Sequence, residues 1–238
     1  MKKFGPLVLF LVGVLFIAGV WMWLGKAKKE AVVEEPQEAL TEVPLENKPF
    51  TSLTPKADGH WVTLKIEKLN KVLGAQTIDY ELLYKAKSGT QGTPGTVKLA
   101  GIDRIEREIL FGSESNKKYR YDEGVEEGTL TLRFRDAKGK LLGKMSTDFH
   151  LQSGVSKLTS LDGNFEFILD KISKNYFVTM GTFGRPAQAG LPDKFADKVE
   201  SGPYGVFSSS DSLVSGKPSL KEGLVTKVSP NIFLGTSE

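Results

Sequence analysis

Histidine is the residue type best suited to acid–base chemistry near neutral pH, and the sequence contains two, His60 and His150. A histidine base activates a serine nucleophile when an acidic residue orients its ring. Asp148 lies two residues before His150 and would share its face of a strand, but no Gly-x-Ser-x-Gly elbow supplies a nucleophile. No residue is therefore predicted to be catalytic. An envelope-polymer hydrolase with an unrecognised site remains the alternative.

Two short segments resemble ligand-binding motifs but have the wrong spacing. Gly139–Lys144 has three residues between its glycines and a methionine after its lysine, whereas a phosphate-binding loop needs four residues and then serine or threonine. Asp162–Asn164 offers oxygen ligands without the twelve-residue loop and closing glutamate of a calcium site. The chain has no cysteine, which excludes thiolate metal sites and disulfides. The sequence predicts no cofactor and no metal.

Aromatic side chains could instead supply a binding surface. The most specific local feature is the run Gly202, Pro203, Tyr204 and Gly205, which we predict to be an exposed partner-binding loop. Its alternative is a tight turn that packs one tyrosine. Aromatic residues of β proteins usually lie in the core, so most tyrosines are expected there. The candidates for a ligand platform are Tyr80, Tyr84, Tyr119, Tyr121, Tyr176 and Tyr204.

Composition and charge limit the class of partner. The chain has 32 basic and 29 acidic residues, a net charge of +3, and no block of like charge that forms a basic stripe. Nucleic-acid-binding proteins concentrate positive charge on one face, so nucleic acid is not a predicted partner. Hydrophobic residues make up 39% of the chain, which is enough to build a core without disulfides.

Phe4–Leu24 is predicted to be a transmembrane helix that anchors the chain in a lipid bilayer. The segment has no charged residue, and its 21 residues would form a helix of about 31 Å, close to the hydrocarbon thickness. Trp21 and Trp23 fall near its C-terminal end, where interfacial aromatic residues belong. A cleaved signal peptide is the alternative, because Gly25 and Ala27 form a small-residue pair.

The lysines beside this segment give a nearly balanced signal for its orientation. Lys2 and Lys3 precede the span, whereas Lys26, Lys28 and Lys29 follow it. We expect the N-terminus inside and the soluble part outside, because the span begins like a signal peptide and long domains cross membranes largely regardless of charge.

An acidic linker is predicted to follow the anchor of residues 1–29. Residues 30–58 contain four prolines and six glutamates. Proline interrupts helices and sheets, and like charges extend a chain, so this segment would hold the soluble part away from the membrane.

From residue 59 onward the sequence has the two-residue period of half-buried β-strands. Residues 62–66 alternate apolar with polar side chains, and Thr129–Leu151 is predicted to be a hairpin with its turn at Asp136–Gly139. The pattern predicts a mainly β fold, an antiparallel β-sandwich of the immunoglobulin or fibronectin type III kind, over residues 59–153.

Residues 154–238 are predicted to form a second, smaller β domain or a continuation of the first. Tyr176–Phe183 is apolar on both faces, which is typical of a central strand. Ile66–Lys71 matches Leu169–Lys174 conservatively at every position. Either a duplicated β unit or coincidence would explain this match.

These patterns favour a membrane-anchored, non-catalytic protein of the cell envelope. Its role would be adhesion, scaffolding or binding of a protein or glycan partner through loops and sheet edges. The rival enzyme would need a deep pocket in which polar groups converge on His60 or His150.

Overall fold

The computed structural model describes residues 43–69, 72, 74–186, 199–211 and 214–237. The predicted anchor Phe4–Leu24 lies outside these residues. Within the described ranges, no helix has the length and apolar character needed to cross a bilayer. The same ranges are mainly β, with antiparallel sheets and no helix, so this part of the fold prediction is confirmed.

Sixteen strands make up the described fold. In chain order they are β1 (Phe50–Pro55), β2 (Trp61–Glu67), β3 (Thr77–Ala86), β4 (Gly89–Lys98), β5 (Arg104–Leu110), β6 (Gly112–Ser115), β7 (Lys118–Tyr121), β8 (Glu127–Arg135), β9 (Leu141–Ser153), β10 (Lys157–Thr159), β11 (Phe165–Leu169), β12 (Tyr176–Gly181), β13 (Val199–Ser208), β14 (Gly216–Leu220), β15 (Leu224–Ser229) and β16 (Ile232–Thr236).

The strands form one large sheet, two smaller sheets and a short hairpin. The large sheet has eight strands in the order β15-β16-β13-β12-β9-β8-β3-β4. The two three-stranded sheets are β1-β2-β5 and β10-β11-β14, and β6 pairs only with β7. Strands from residues 59–153 and from residues 154–238 therefore share the large sheet, in which β9 pairs with β12.

Strand β12 is the central strand that the apolar run Tyr176–Phe183 predicts, so this prediction is confirmed. Val178 and Met180 pack in one core, whereas Phe177 packs in another. Successive side chains of a strand point to opposite faces of a sheet. One three-stranded sheet therefore covers each face of the large sheet at β12.

The first core lies between the sheet β1-β2-β5 and one face of the large sheet. Leu64 and Ile66 of β2 pack there with Leu132 and Phe149 of the large sheet, and all four side chains are fully buried. Alternate residues of β2 are buried, which confirms the period predicted at residues 62–66. Each such side chain contributes about 1.5–3 kcal/mol through removal from water.

The second core lies between the sheet β10-β11-β14 and the opposite face of the large sheet. Phe165 and Phe167 of β11 pack there with Phe177 of β12 and Val206 of β13. The two cores meet at β12, which contributes side chains to both.

The predicted hairpin over Thr129–Leu151 is confirmed as strands β8 and β9 with their turn at Asp136–Gly139. The Gly139 N–H donates to the Asp136 carbonyl at 3.1 Å, and the Asp136 carboxylate accepts the amides of Lys138 and Lys140. Gly139 has a φ of +81°, a conformation that glycine adopts without steric cost.

The predicted linker of residues 30–58 is too long at its C-terminal end. Phe50–Pro55 form β1, pair with β2 along their whole length, and bury Leu53 completely. Pro49 and Pro55 lie at the two ends of this strand. Because proline usually interrupts regular structure, the sequence here resembles a linker. The strand forms because its partner in β2 supplies the hydrogen bonds, and a proline at the end of an edge strand leaves most of the ladder intact.

Candidate binding surface

Four aromatic side chains form a partly exposed row where β2 begins, beside the hairpin β6–β7. We call His60, Trp61, Tyr119 and Tyr121 the aromatic row. The rings of His60 and Tyr121 stack with centroids 4.3 Å apart, and those of Tyr119 and Tyr121 are also parallel, at 6.4 Å. Trp61 meets Tyr119 edge-on at 5.4 Å. Tyr119 and Tyr121 are 48% and 41% exposed, so their rings are available for contact.

The hairpin β6–β7 presents the two tyrosines of the row. Tyr119 and Tyr121 are two residues apart on β7, so both side chains leave the same face of the strand. Asn116 and Lys117 connect the strands, and their φ angles of +50° and +62° are those of a type I′ turn. This turn fixes the register in which Gly112 faces Tyr121.

Tyr84 fastens the base of this hairpin. Its hydroxyl donates to Asp122 Oδ2 at 2.9 Å and accepts the Gly112 N–H at 3.0 Å. Burial, together with the hydrogen bond and charge of Asp122, raises the pKa of Tyr84 to about 12, so the hydroxyl is a donor at neutral pH. Gly112 is required because its φ is +150° and a side chain there would meet the Arg120 carbonyl.

Replacing Lys117 with glycine is expected to stabilise the protein by about 1 kcal/mol. A residue with a side chain loses roughly this much in the left-handed conformation, and Asn-Gly is the preferred pair for a type I′ turn. Thermal and denaturant unfolding of the full chain measure the change. Lys118→Gly is the matched control, and it should destabilise because Lys118 begins a strand. A loss of stability in Lys117→Gly would contradict the turn assignment.

Backbone contacts hold His60 at the inner end of the row. Its N–H donates to Asp58 Oδ1 at 3.0 Å, and its carbonyl accepts the Phe111 N–H at 2.8 Å. Gly59 has a φ of +71° and lies directly against the Tyr176 ring, where a side chain would clash. The aromatic surface therefore continues from His60 towards Tyr176.

An open groove of about 540 Å³ begins at Gly59 and His60. We call it the histidine groove, because His150 also lines it. Glu123 forms an ion pair with Lys87 at 3.1 Å across this lining. The other polar side chains that line the groove include Asp122, Glu126, Gln152, Ser153 and Tyr176.

Both histidines considered for catalysis thus line one groove, but their surroundings do not form a catalytic triad. His150 Nδ1 lies 2.9 Å from the Thr159 carbonyl and 3.2 Å from its hydroxyl, which ties the ring to the backbone of β10. Asp148 instead accepts the Thr129 hydroxyl at 2.7 Å. In the described part of the chain, no carboxylate forms a hydrogen bond with either imidazole, and no cluster of His, Asp and Glu is arranged to hold a metal ion.

Gly202, Pro203, Tyr204 and Gly205 lie within strand β13, not in an exposed loop. The strand pairs with β12 and β16 here, with register shifts on the β16 side. Tyr204 is 6% exposed and stacks on Phe165 at 5.1 Å. Gly202, Pro203 and Tyr204 also line a second groove of about 460 Å³. Their role in binding a partner stays a prediction.

Asp162 joins the Tyr204 region to the turn between β10 and β11. Its carboxylate accepts the Tyr204 hydroxyl at 2.7 Å and the Asn164 N–H at 3.0 Å, and it also bonds the Ser160 hydroxyl. Burial alone would raise the pKa of Asp162, but these hydrogen bonds outweigh it and hold the pKa below its ordinary value. The Asp162–Asn164 bond is that of an Asx turn, the structure these residues favour over a calcium loop.

Asp162→Asn is expected to make the stability of the protein less dependent on pH in the acidic range. A carboxyl whose pKa is lower in the folded state stabilises the fold above its unfolded pKa of about 3.9, and that contribution is lost as the pH falls through the folded value. The melting temperature of the wild type should therefore fall more than that of Asp162→Asn between pH 7 and pH 3. Parallel curves for the two proteins would contradict this role.

Comparison of the chain with protein-family models, with curated proteins and with solved structures finds no match. Function is therefore inferred from the aromatic row and the histidine groove. Tyr119 and Tyr121 are two of the six tyrosines predicted as candidates for a ligand platform, and the local pattern does not distinguish them from core residues. Lys118 and Arg120 alternate with these two tyrosines, a pattern that indicates a strand with one charged face but does not by itself reveal that the tyrosine face is exposed.

Proposed function

We propose that the chain is a membrane-anchored, non-catalytic protein of the cell envelope that binds a partner through the aromatic row of its β ectodomain. The observation that carries this proposal is the exposure of Tyr119 and Tyr121 in a row of ordered rings. Tyrosine supplies a large apolar contact with a polar tip and only two side-chain torsions to immobilise, so it is enriched at binding surfaces.

The ectodomain in this proposal is a β-sandwich of the immunoglobulin or fibronectin type III kind. The placement of each core between two antiparallel sheets supports the sandwich part of this assignment. Phe4–Leu24 would be the membrane anchor, with the N-terminus inside and the ectodomain outside.

Position-specific crosslinking in the cells that make the protein tests the binding role. A benzophenone amino acid in place of Tyr119 in the full chain is expected to give a discrete adduct on irradiation, because a bound partner would lie against the row. Ile168 is the matched control position, since it is 49% exposed and lies on β11, in a sheet that contains no residue of the row. The same adducts at both positions, or none at Tyr119, would contradict the proposal.

Protease treatment tests the location. Digestion of a C-terminal tag in intact cells, with the tag in the membrane fraction beforehand, is the expected result for an external anchored domain. Digestion only after permeabilisation would place the domain inside and make a cytoplasmic scaffold the better assignment.

An anchored envelope-polymer hydrolase is the second candidate, because His60 and His150 line one groove. It predicts turnover of an envelope polymer that is lost in both His60→Ala and His150→Ala. The binding role predicts no turnover by the wild type and a loss of crosslinking confined to variants of the row.

A further inference from the structure

We infer that the ligand of the aromatic row is a neutral glycan chain that runs from Tyr119 and Tyr121 across His60 into the histidine groove. This inference rests on the proposed binding function and adds the chemical class of the ligand. It joins two features that share His60, namely a row of ordered rings and a polar groove.

The shape and character of the row suit sugar rings. The C–H groups on one face of a pyranose form an apolar patch of about the size of an aromatic ring, while its hydroxyls point outward from the ring edge. The rings of Tyr119 and Tyr121 are nearly parallel, with centroids 6.4 Å apart, and His60 covers one face of Tyr121. Both tyrosines remain partly exposed, so their uncovered parts offer two neighbouring contacts along β7. A ligand with repeated rings uses these contacts better than a compact molecule does.

The groove supplies the polar half of such a site. Sugar hydroxyls donate to carboxylates and to an unprotonated imidazole nitrogen, and they accept from ammonium groups. The groove presents Glu126, the Lys87–Glu123 pair and His150, whose Nδ1–H is taken by the Thr159 carbonyl. Its Tyr176 ring lies against Gly59 and extends the stacking surface beyond His60. A chain that leaves the row at His60 therefore meets hydrogen-bonding groups and one more ring.

Charge argues against an anionic chain. Asp122, Glu123 and Glu126 line the groove, and among the described residues of its lining only Lys87 carries an ammonium group. Phosphate or sulfate groups would be repelled here, and nucleic acids bind mainly through their phosphates.

The groove is also a poor fit for an amphipathic helix, which needs a continuous apolar floor. Val125, Leu151 and Val155 line the groove, but Leu151 is only 3% exposed and packs in the first core, and the two valines lie among charged and polar lining side chains. Between a protein partner and a glycan, the polar lining therefore favours the glycan.

Isothermal titration of the full chain in detergent tests this inference. The probes are neutral hexasaccharides and disaccharides of β-1,4-linked N-acetylglucosamine, glucose and mannose. At least one hexasaccharide is expected to bind, and to bind more tightly than its disaccharide. Tyr119→Leu, which keeps apolar surface but loses the flat ring, should weaken binding about tenfold, whereas Tyr119→Phe should retain it.

Two further variants locate the ligand. Glu126→Ala should weaken binding of the hexasaccharide and leave binding of the disaccharide unchanged, because only the longer chain reaches the groove. Ile168→Ala, at an exposed position on β11 that belongs neither to the row nor to the groove lining, should change neither affinity.

Three results would overturn the inference. One is that no hexasaccharide binds. Another is that a decalysine peptide binds in place of the sugars, since rings beside carboxylates also attract cations. The third is that Tyr119→Phe and Tyr119→Leu weaken binding of the hexasaccharide equally.

Crosslinking at Tyr119 distinguishes an error in the glycan assignment from an error in the proposed binding function. If no hexasaccharide binds but Tyr119 gives a discrete protein adduct in cells, the binding role stands and the glycan assignment is wrong. If neither is observed, both are wrong.

Discussion

Replacing Phe149 with alanine is expected to lower the free energy of unfolding by about 3–5 kcal/mol, the range for deletion of a fully buried aromatic ring. Phe149 is fully buried in the first core, and its ring lies parallel to that of Phe111 at 6.2 Å. The ring also covers Gly128, where a side chain would meet both it and the Leu83 carbonyl. Because the backbone of β8 touches this ring, the core cannot easily collapse into the space that alanine leaves.

Denaturant unfolding of the full chain, followed by circular dichroism, measures the change. Phe149→Leu is the matched control, since it keeps most of the side-chain volume and should lose substantially less stability. Equal losses in Phe149→Leu and Phe149→Ala would show that cavity formation at this position is not the cause.

Phe165→Ala makes the equivalent change in the second core, where Phe165 is also fully buried. Strand β12 contributes Val178 to the first core and Phe177 to the second. Loss of either core therefore exposes one face of β12, and we expect both variants to shift a single transition. Two separate transitions, with Phe149→Ala moving only one, would support independent domains at residues 59–153 and 154–238.

Local sequence patterns predict strands well where a strand pairs with its neighbour in the chain. The hairpin β8–β9 follows from alternating side chains on both sides of the Asp136–Gly139 turn. The double-sided burial of β12 follows from an uninterrupted apolar run. In both cases the local residue pattern is sufficient to predict the strand, and the tertiary contacts agree with it.

Local patterns fail where pairing overrides turn signals. Gly202 and Pro203 resemble a loop, yet β12 pairs with the adjacent Tyr204 and Gly205 and keeps the segment in a sheet. Phe50–Pro55 resembles a linker between prolines, yet it pairs with β2. Glycine and proline report the conformations that a backbone can adopt, whereas a neighbouring strand supplies the hydrogen bonds that decide among them.

The aromatic row could not be predicted because it depends on contacts between distant residues. His60 and Tyr121 are far apart in sequence, and their rings meet because the Phe111 N–H bonds the His60 carbonyl where β5 gives way to β6. Alternation with charged residues indicates that Tyr119 and Tyr121 share a face of a strand. It does not indicate that His60 and Trp61 lie beside them.

Tyr84→Phe is expected to lower the free energy of unfolding by about 1–3 kcal/mol, which is large for the loss of one oxygen atom. The Tyr84 hydroxyl satisfies both the Asp122 carboxylate and the Gly112 N–H at a partly buried position. Phenylalanine would leave both groups without this partner, and unsatisfied buried groups cost more than a hydrogen bond contributes. The ring at position 84 would still pack edge-on against Phe111, so the loss of stability would come from removal of the hydroxyl.

Tyr119→Phe is the matched control, because its hydroxyl lies on the exposed row and its removal should change stability by less than about 0.5 kcal/mol. Hydrogen exchange adds a local measurement. In Tyr84→Phe the amides of Gly112 and Asp122 should exchange faster, whereas those of β12 should change only with global stability. Unchanged exchange at Gly112 would contradict the inference that the Tyr84 hydroxyl stabilises the base of the hairpin. Faster exchange there, with weaker crosslinking at Tyr119, would show that a buried hydroxyl holds the exposed rings in their binding arrangement.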